Sequence, residues 1–123
     1  MGKSEENKAM TEWFVDEVWN KRNITAGEKL FSPDILVHTP TLDQHDFSGW
    51  KALVNGNYKS LSDTNLVIEK IIAEEDMVAF RWKMTATQTE TNKMVTMRGG
   101  TFFQFKDGKV IQLWNYQANT EMS

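Results

Sequence analysis

The chain has 123 residues, enough for one domain with an ordinary buried core. Its net charge of −3 leaves no basic footprint for nucleic acid, and the absence of cysteine excludes a disulfide framework, a thiol nucleophile and a cysteine-held metal. No apolar run nears membrane-spanning length and the opening Met1-Gly-Lys-Ser-Glu-Glu-Asn7 lacks a signal peptide's apolar centre, so a cytoplasmic protein is expected.

Ser4 is placed to cap a first helix running to about Arg22, with Glu5 and Glu6 near its positive end. Met10, Trp13, Phe14 and Val18 recur at helical spacing, and Val15 with Trp19 widens that stripe. Thr25-x-x-Glu28 has the form of a capping box for a short helix from Ala26 to Phe31, which Ser32-Pro33-Asp34 breaks. A strand is expected over Ile35–His38, then a loop to Asp46. Ser48 would cap a third helix from Gly49 to Leu61, with Trp50, Leu53, Val54, Tyr58 and Leu61 on one face. Gly56 weakens that helix by about 1 kcal/mol relative to alanine.

The rest alternates with a period of two. Strands are expected over Leu66–Ala73, Met77 to about Thr89, Met94–Phe105, and from Val110 onward. Val78, Phe80, Trp82, Met84 and Ala86 form one apolar row. Asp107-Gly108 is a hairpin signal, because both residues tolerate positive φ. In the last strand Val110, Gln112, Trp114 and Tyr116 share one face, and Ile111, Leu113, Asn115 and Gln117 the other. The second face begins apolar and ends in two carboxamides, as the floor of a ligand pocket would. Helices first and an antiparallel meander after them predict an α+β domain spanning 1–123, with the helices on one sheet face. In Met94–Phe105 neither row is fully polar, so a second subunit is expected on the other face, giving a homodimer. Gly99-Gly100 reads as a bend or bulge within its strand.

The stretches Met10–Asn20, Leu30–Pro40, Ile72–Trp82, Val95–Gly100 and Phe105–Trp114 together resemble the SnoaL-like polyketide cyclase or ester cyclase branch of the nuclear-transport-factor-2-like superfamily. The resemblance covers nearly the whole chain. It implies a curved sheet wrapped by helices into a cone around one cavity, and dimers or higher oligomers. It also implies enzymes that need no metal or cofactor, in which a pocket acid/base drives an aldol-type ring closure. In those cyclases an Asp follows the Trp of the last strand. Here Trp114 is followed by Asn115, and a carboxamide does not exchange protons near neutral pH. The related epoxide hydrolases use an Arg with two Asp around a water. Arg81 or Arg98 would supply the Arg, but no Asp lies inside a strand.

His38 matches the family's His-Thr-Pro stretch at an expected cavity rim. It would serve as the proton-transfer group, or else hydrogen-bond its own loop. His38, Asp43, His45 and Asp46 have ligating side chains, but their spacing matches no established zinc pattern, so no metal is expected. Arg98 sits mid-strand and needs a partner, either a ligand oxygen or an ion pair at a subunit interface. Trp19, Trp50 and Tyr58 fall where the family's helices border the cavity; each is also a plausible core residue. With Asn115 and Gln117 they complete the expected ligand-binding set. The resulting expectation is a cofactor-independent protein binding a small, largely apolar carbonyl or hydroxyl compound. If catalytic, it would carry out enolisation, isomerisation or cyclisation. The alternatives are a non-catalytic binding module and a structural dimer whose aromatic side chains fill the cavity.

Overall fold

The computed structural model describes residues 2–40 and 46–122, residues 118–122 by backbone alone. Helix α1 spans Lys3–Val15. Gly2, not Ser4, is its N-cap, and no side chain caps it; Glu5 and Glu6 in the first turn offset the exposed N–H groups. At Asp16 the helix loosens into a π-helical turn, Asp16–Asn20, in which Lys21 N–H reaches back five residues to Asp16 O at 3.0 Å. Arg22 then takes a left-handed φ of 57°, and Asn23 N–H closes onto Glu17 O at 2.8 Å.

The short helix α2 is Ala26–Leu30, and the expected capping box does not form: the Thr25 hydroxyl turns back to Asn23. Phe31 belongs to strand β1, Phe31–His38, which starts four residues before the expected Ile35. Pro33 is accommodated because β1 lies at a sheet edge, where a missing N–H costs no ladder bond. Helix α3, Phe47–Ser60, is capped by Asp46, whose carboxylate accepts Gly49 N–H at 2.8 Å; Ser48 lies inside the first turn. An Asp in that place also complements the helix dipole.

Four strands follow: β2 (Leu61–Glu74), β3 (Met77–Gln88), β4 (Met94–Lys106) and β5 (Lys109–Met122). They pair antiparallel in sequence order, and β1 adds parallel to β5, giving the order β1-β5-β4-β3-β2. The sheet is therefore mixed, not wholly antiparallel. The β4–β5 turn has φ of 52° at Asp107 and 80° at Gly108, as a tight hairpin requires.

One face of this sheet packs against the helices. The row from Val78 to Ala86 on β3 is buried throughout, as are Val95, Met97, Thr101, Phe103 and Phe105 on β4. Phe103 is the hub: its ring lies 5.6 Å from Phe14 and 5.4 Å from Phe80, and Phe31 joins through Phe14 at 4.9 Å and Trp50 at 4.8 Å. Such rings contribute more than their area through edge-to-face packing.

The β4–β5 register shifts twice, between Thr96 and Met97 and between Gln104 and Phe105, and the second shift breaks the alternation early in β5. Phe105 pairs with Val110 but Gln104 pairs with Gln112, so Ile111 is the extra residue of a β-bulge. Val110 consequently turns inward, fully buried, in place of sharing a face with Gln112 and Trp114. No register shift occurs at Gly99-Gly100, so that pair is not a bulge.

Candidate functional site

A pocket of about 710 Å³ lies between the helices and the inner face of the sheet. Helix α1 and its π-helical end contribute Phe14, Val15 and Trp19, and α3 contributes Trp50, Leu53, Val54 and Asn57. The floor is Phe80, Trp82 and Met84 of β3, Met97, Thr101 and Phe103 of β4, and Leu113, Asn115 and Gln117 of β5. Thr39 and Pro40, just past β1, complete one side. Apart from Thr39 and Asn57, the polar side chains of the lining are gathered where β4 and β5 bring hydroxyl and carboxamide groups together.

Those groups form one continuous hydrogen-bonded chain. Trp82 Nε1 donates to Thr101 Oγ1 at 3.0 Å, Thr101 donates to Asn115 Oδ1 at 2.7 Å, and Asn115 Nδ2 donates to Gln117 Oε1 at 3.3 Å. Leaving the buried Thr101 hydroxyl or the indole N–H unpaired would cost about 1–3 kcal/mol, so this chain holds its members in place. Gly99 makes it possible. It pairs with Trp82 across β3 and β4, and a Cβ at Gly99 would stand 2.4 Å from the indole ring. The glycine thus gives room for the indole to lie across its strand and reach Thr101.

Of the residues expected from sequence, the structure brings Trp19, Trp50, Asn115 and Gln117 to the pocket. Tyr58 stands behind it: its hydroxyl donates to Val18 O, its ring meets Trp19 edge-on at 6.3 Å, and Arg22 lies over the ring at 4.8 Å. Burial pushes the Tyr58 phenol up to about 12, against a smaller opposing effect of Arg22. A phenol so held is a neutral clamp on the π-helical turn.

His38 and Arg98 lie on the opposite face of the sheet. The His38 ring stacks on Trp114 at 5.4 Å and Nε2 pairs with Gln112 Oε1 at 3.0 Å. The reason is register: Val37 pairs with Leu113 facing the pocket, so His38 and Trp114, one residue on, face outward. The expectation of His38 at the cavity rim is corrected accordingly. Arg98 borders a shallow groove with Arg81, Lys70, Gly100 and Phe102, and Arg81 is paired with Glu69 at 3.4 Å. Asp43 and His45 of the ligating group lie outside the described residues. The sequence did not mark Thr101 as a pocket residue, nor Gly99 as the residue that gives Trp82 room. The available signal was a glycine interrupting an apolar row opposite a tryptophan.

Helices layered on one face of a five-stranded mixed sheet define the class of fold, and sequence comparison gives the family. Residues 10–113 match the SnoaL-like domain, and the chain belongs to that family. Its fold is similar to AclR of Streptomyces galilaeus, described as a candidate hydroxylase, with a TM-score of 0.88 and 28% identity over 95% of this chain and 81% of that one. It is also similar to a candidate polyketide cyclase from Acidithiobacillus ferrooxidans (0.79, 27% identity, 95% and 91% covered). A candidate SnoaL-like polyketide cyclase from Jannaschia sp. CCS1 shares the fold at 0.86 and 16% identity (95% and 88% covered). No curated protein matches the chain by sequence. Among the described residues no helix is long and apolar enough to cross a membrane.

Proposed function

We propose that the protein holds a small, largely apolar molecule in this pocket and grips its carbonyl or hydroxyl oxygen with Asn115 and Gln117. The observation that carries this reading is the pocket's graded lining. Its volume of about 710 Å³ suits a small organic ligand, and its aromatic walls converge on two carboxamides in one hydrogen-bonded chain. Trp19 and Trp50 would supply flat contact surface. His38, Tyr58 and Arg98 have no ligand role here. The A. ferrooxidans relative's description directs the ligand search to polyketide-like ring ketones. Carboxamides orient and polarise an oxygen but do not exchange protons near neutral pH, so binding takes precedence over enolisation or cyclisation.

The test is thermal unfolding during titration with 9-fluorenone, a three-ring ketone, followed by mass analysis of the recovered compound. Concentration-dependent stabilisation with the compound unchanged supports binding. Turnover of the compound would restore the enzyme reading, and failure of fluorene, fluorenol and fluorenone alike to stabilise would sink the pocket reading.

The reading includes a homodimer through the outer sheet face, which exposes Val67, Ile72, Phe102 and Tyr116. Sedimentation equilibrium would show a dimer that Phe102→Glu converts to monomer; a wild-type monomer at all concentrations would refute it.

A further inference from the structure

The hydrogen-bonded chain at the pocket's polar end has a direction, and Trp82 sets it. An indole N–H donates and never accepts, so Thr101 Oγ1 must receive the Trp82 proton. Thr101 is only 6% exposed, and its own proton goes to Asn115 Oδ1. Turning the Asn115 amide over would set an NH₂ group against that hydroxyl and leave the Thr101 proton with no acceptor among the described residues. The amide is therefore locked with its oxygen toward Thr101 and its nitrogen toward Gln117 Oε1. The polar hydrogens left unpaired among the described contacts are one on Asn115 Nδ2 and two on Gln117 Nε2.

We infer that Trp82 and Thr101 determine specificity by holding Asn115 and Gln117 as donors, so that the pocket selects an oxygen that only accepts. A ketone, quinone or ester carbonyl meets that demand. The alcohol of the same skeleton brings a proton of its own. The Asn115 and Gln117 oxygens, each already accepting one hydrogen bond, offer it only their second lone pair, so the alcohol is held less well than the ketone. The inference rests on the pocket being the ligand site, and adds which oxygen it takes and why. Trp82 and Thr101 act through Asn115, as positioning residues.

Two measurements separate this inference from the reading beneath it. The first needs no ligand. In a ¹⁵N spectrum of the full chain the Trp82 indole proton is expected to exchange slowly with solvent and to lose that protection in Thr101→Val, while Thr101→Ser retains it. Fast exchange in the wild type would mean that the chain of bonds does not exist. The second uses 9-fluorenone, 9-fluorenol and fluorene as a matched series read by titration calorimetry. The wild type is expected to bind the ketone about tenfold more tightly than the alcohol. Thr101→Val and Trp82→Phe are expected to bring the two within about threefold of each other, the ketone-to-alcohol ratio being the readout because both residues line the pocket. Thr101→Ser should restore the preference. Equal binding of ketone and alcohol by the wild type overturns the inference alone. So does a preference that survives both Thr101→Val and Trp82→Phe. Failure of all three compounds to bind overturns the pocket reading, and the selectivity with it.

Discussion

The two faces of one sheet make different demands on neighbouring residues of β4. Phe103 points to the helices and is 1% exposed; Phe102, beside it in sequence, points the other way and is 43% exposed. Gly99 gives space to an indole, whereas a Cβ on Gly100 would meet nothing nearer than a carbonyl at 3.8 Å. Residue type therefore does not foretell importance here; the face does. The inner face is packed to the point where single atoms matter. The outer face is loose, carries Arg81, Lys83 and Arg98, and has tolerance to spare unless something covers it.

The largest expected effect is Phe103→Ala, which should cost about 3–5 kcal/mol in urea unfolding, against under about 1 kcal/mol for Phe102→Ala. A Phe102→Ala cost that grows with protein concentration would show that a second copy covers the outer face. Next comes Gly99→Ala, expected to cost about 1–3 kcal/mol because the new methyl meets both the Trp82 ring and Tyr116 O at 2.5 Å. Gly100→Ala should stay within about 0.5 kcal/mol, and equal costs for the two would erase the distinction between faces. The smallest effect belongs to His38→Ala. Because its imidazole faces away from the pocket, fluorenone affinity should change by less than about twofold, and a large loss would return His38 to the site.

Sequence alone reached the β3 and β4 rows and the Asp107-Gly108 hairpin, because a period of two and a positive-φ turn are local properties. It also marked Asn115 and Gln117, since two carboxamides ending an apolar row are visible without coordinates. The helix caps were less legible. Ser4 and Ser48 are good caps in isolation, but Gly2 and Asp46 were already extended in the right place. The parallel pairing of β1 with β5 is a contact between ends of the chain, which no local pattern announces. The bulge at Ile111 escaped for a related reason: it is defined by the partner strand, not by its own residues. His38 was misplaced because parallel register, which decides its face, was itself unseen. Trp82 and Gly99 were each visible. Their meeting across two strands was not.

One contact made by the π-helical turn reaches beyond the pocket. β2 is the outermost strand on its side, and the Leu66 N–H and C=O both go to one side chain, that of Asn20, at 2.7 and 3.1 Å. A free strand edge offers such groups to any passing chain, which is how sheets grow between molecules. The Asn20 carboxamide stands where the peptide unit of a sixth strand would dock, donating and accepting as that peptide would. The helix end that brings Trp19 to the pocket thus also covers the Leu66 peptide groups on the open rim of the sheet. The loosened turn helps keep the molecule a finite particle instead of the seed of a fibre.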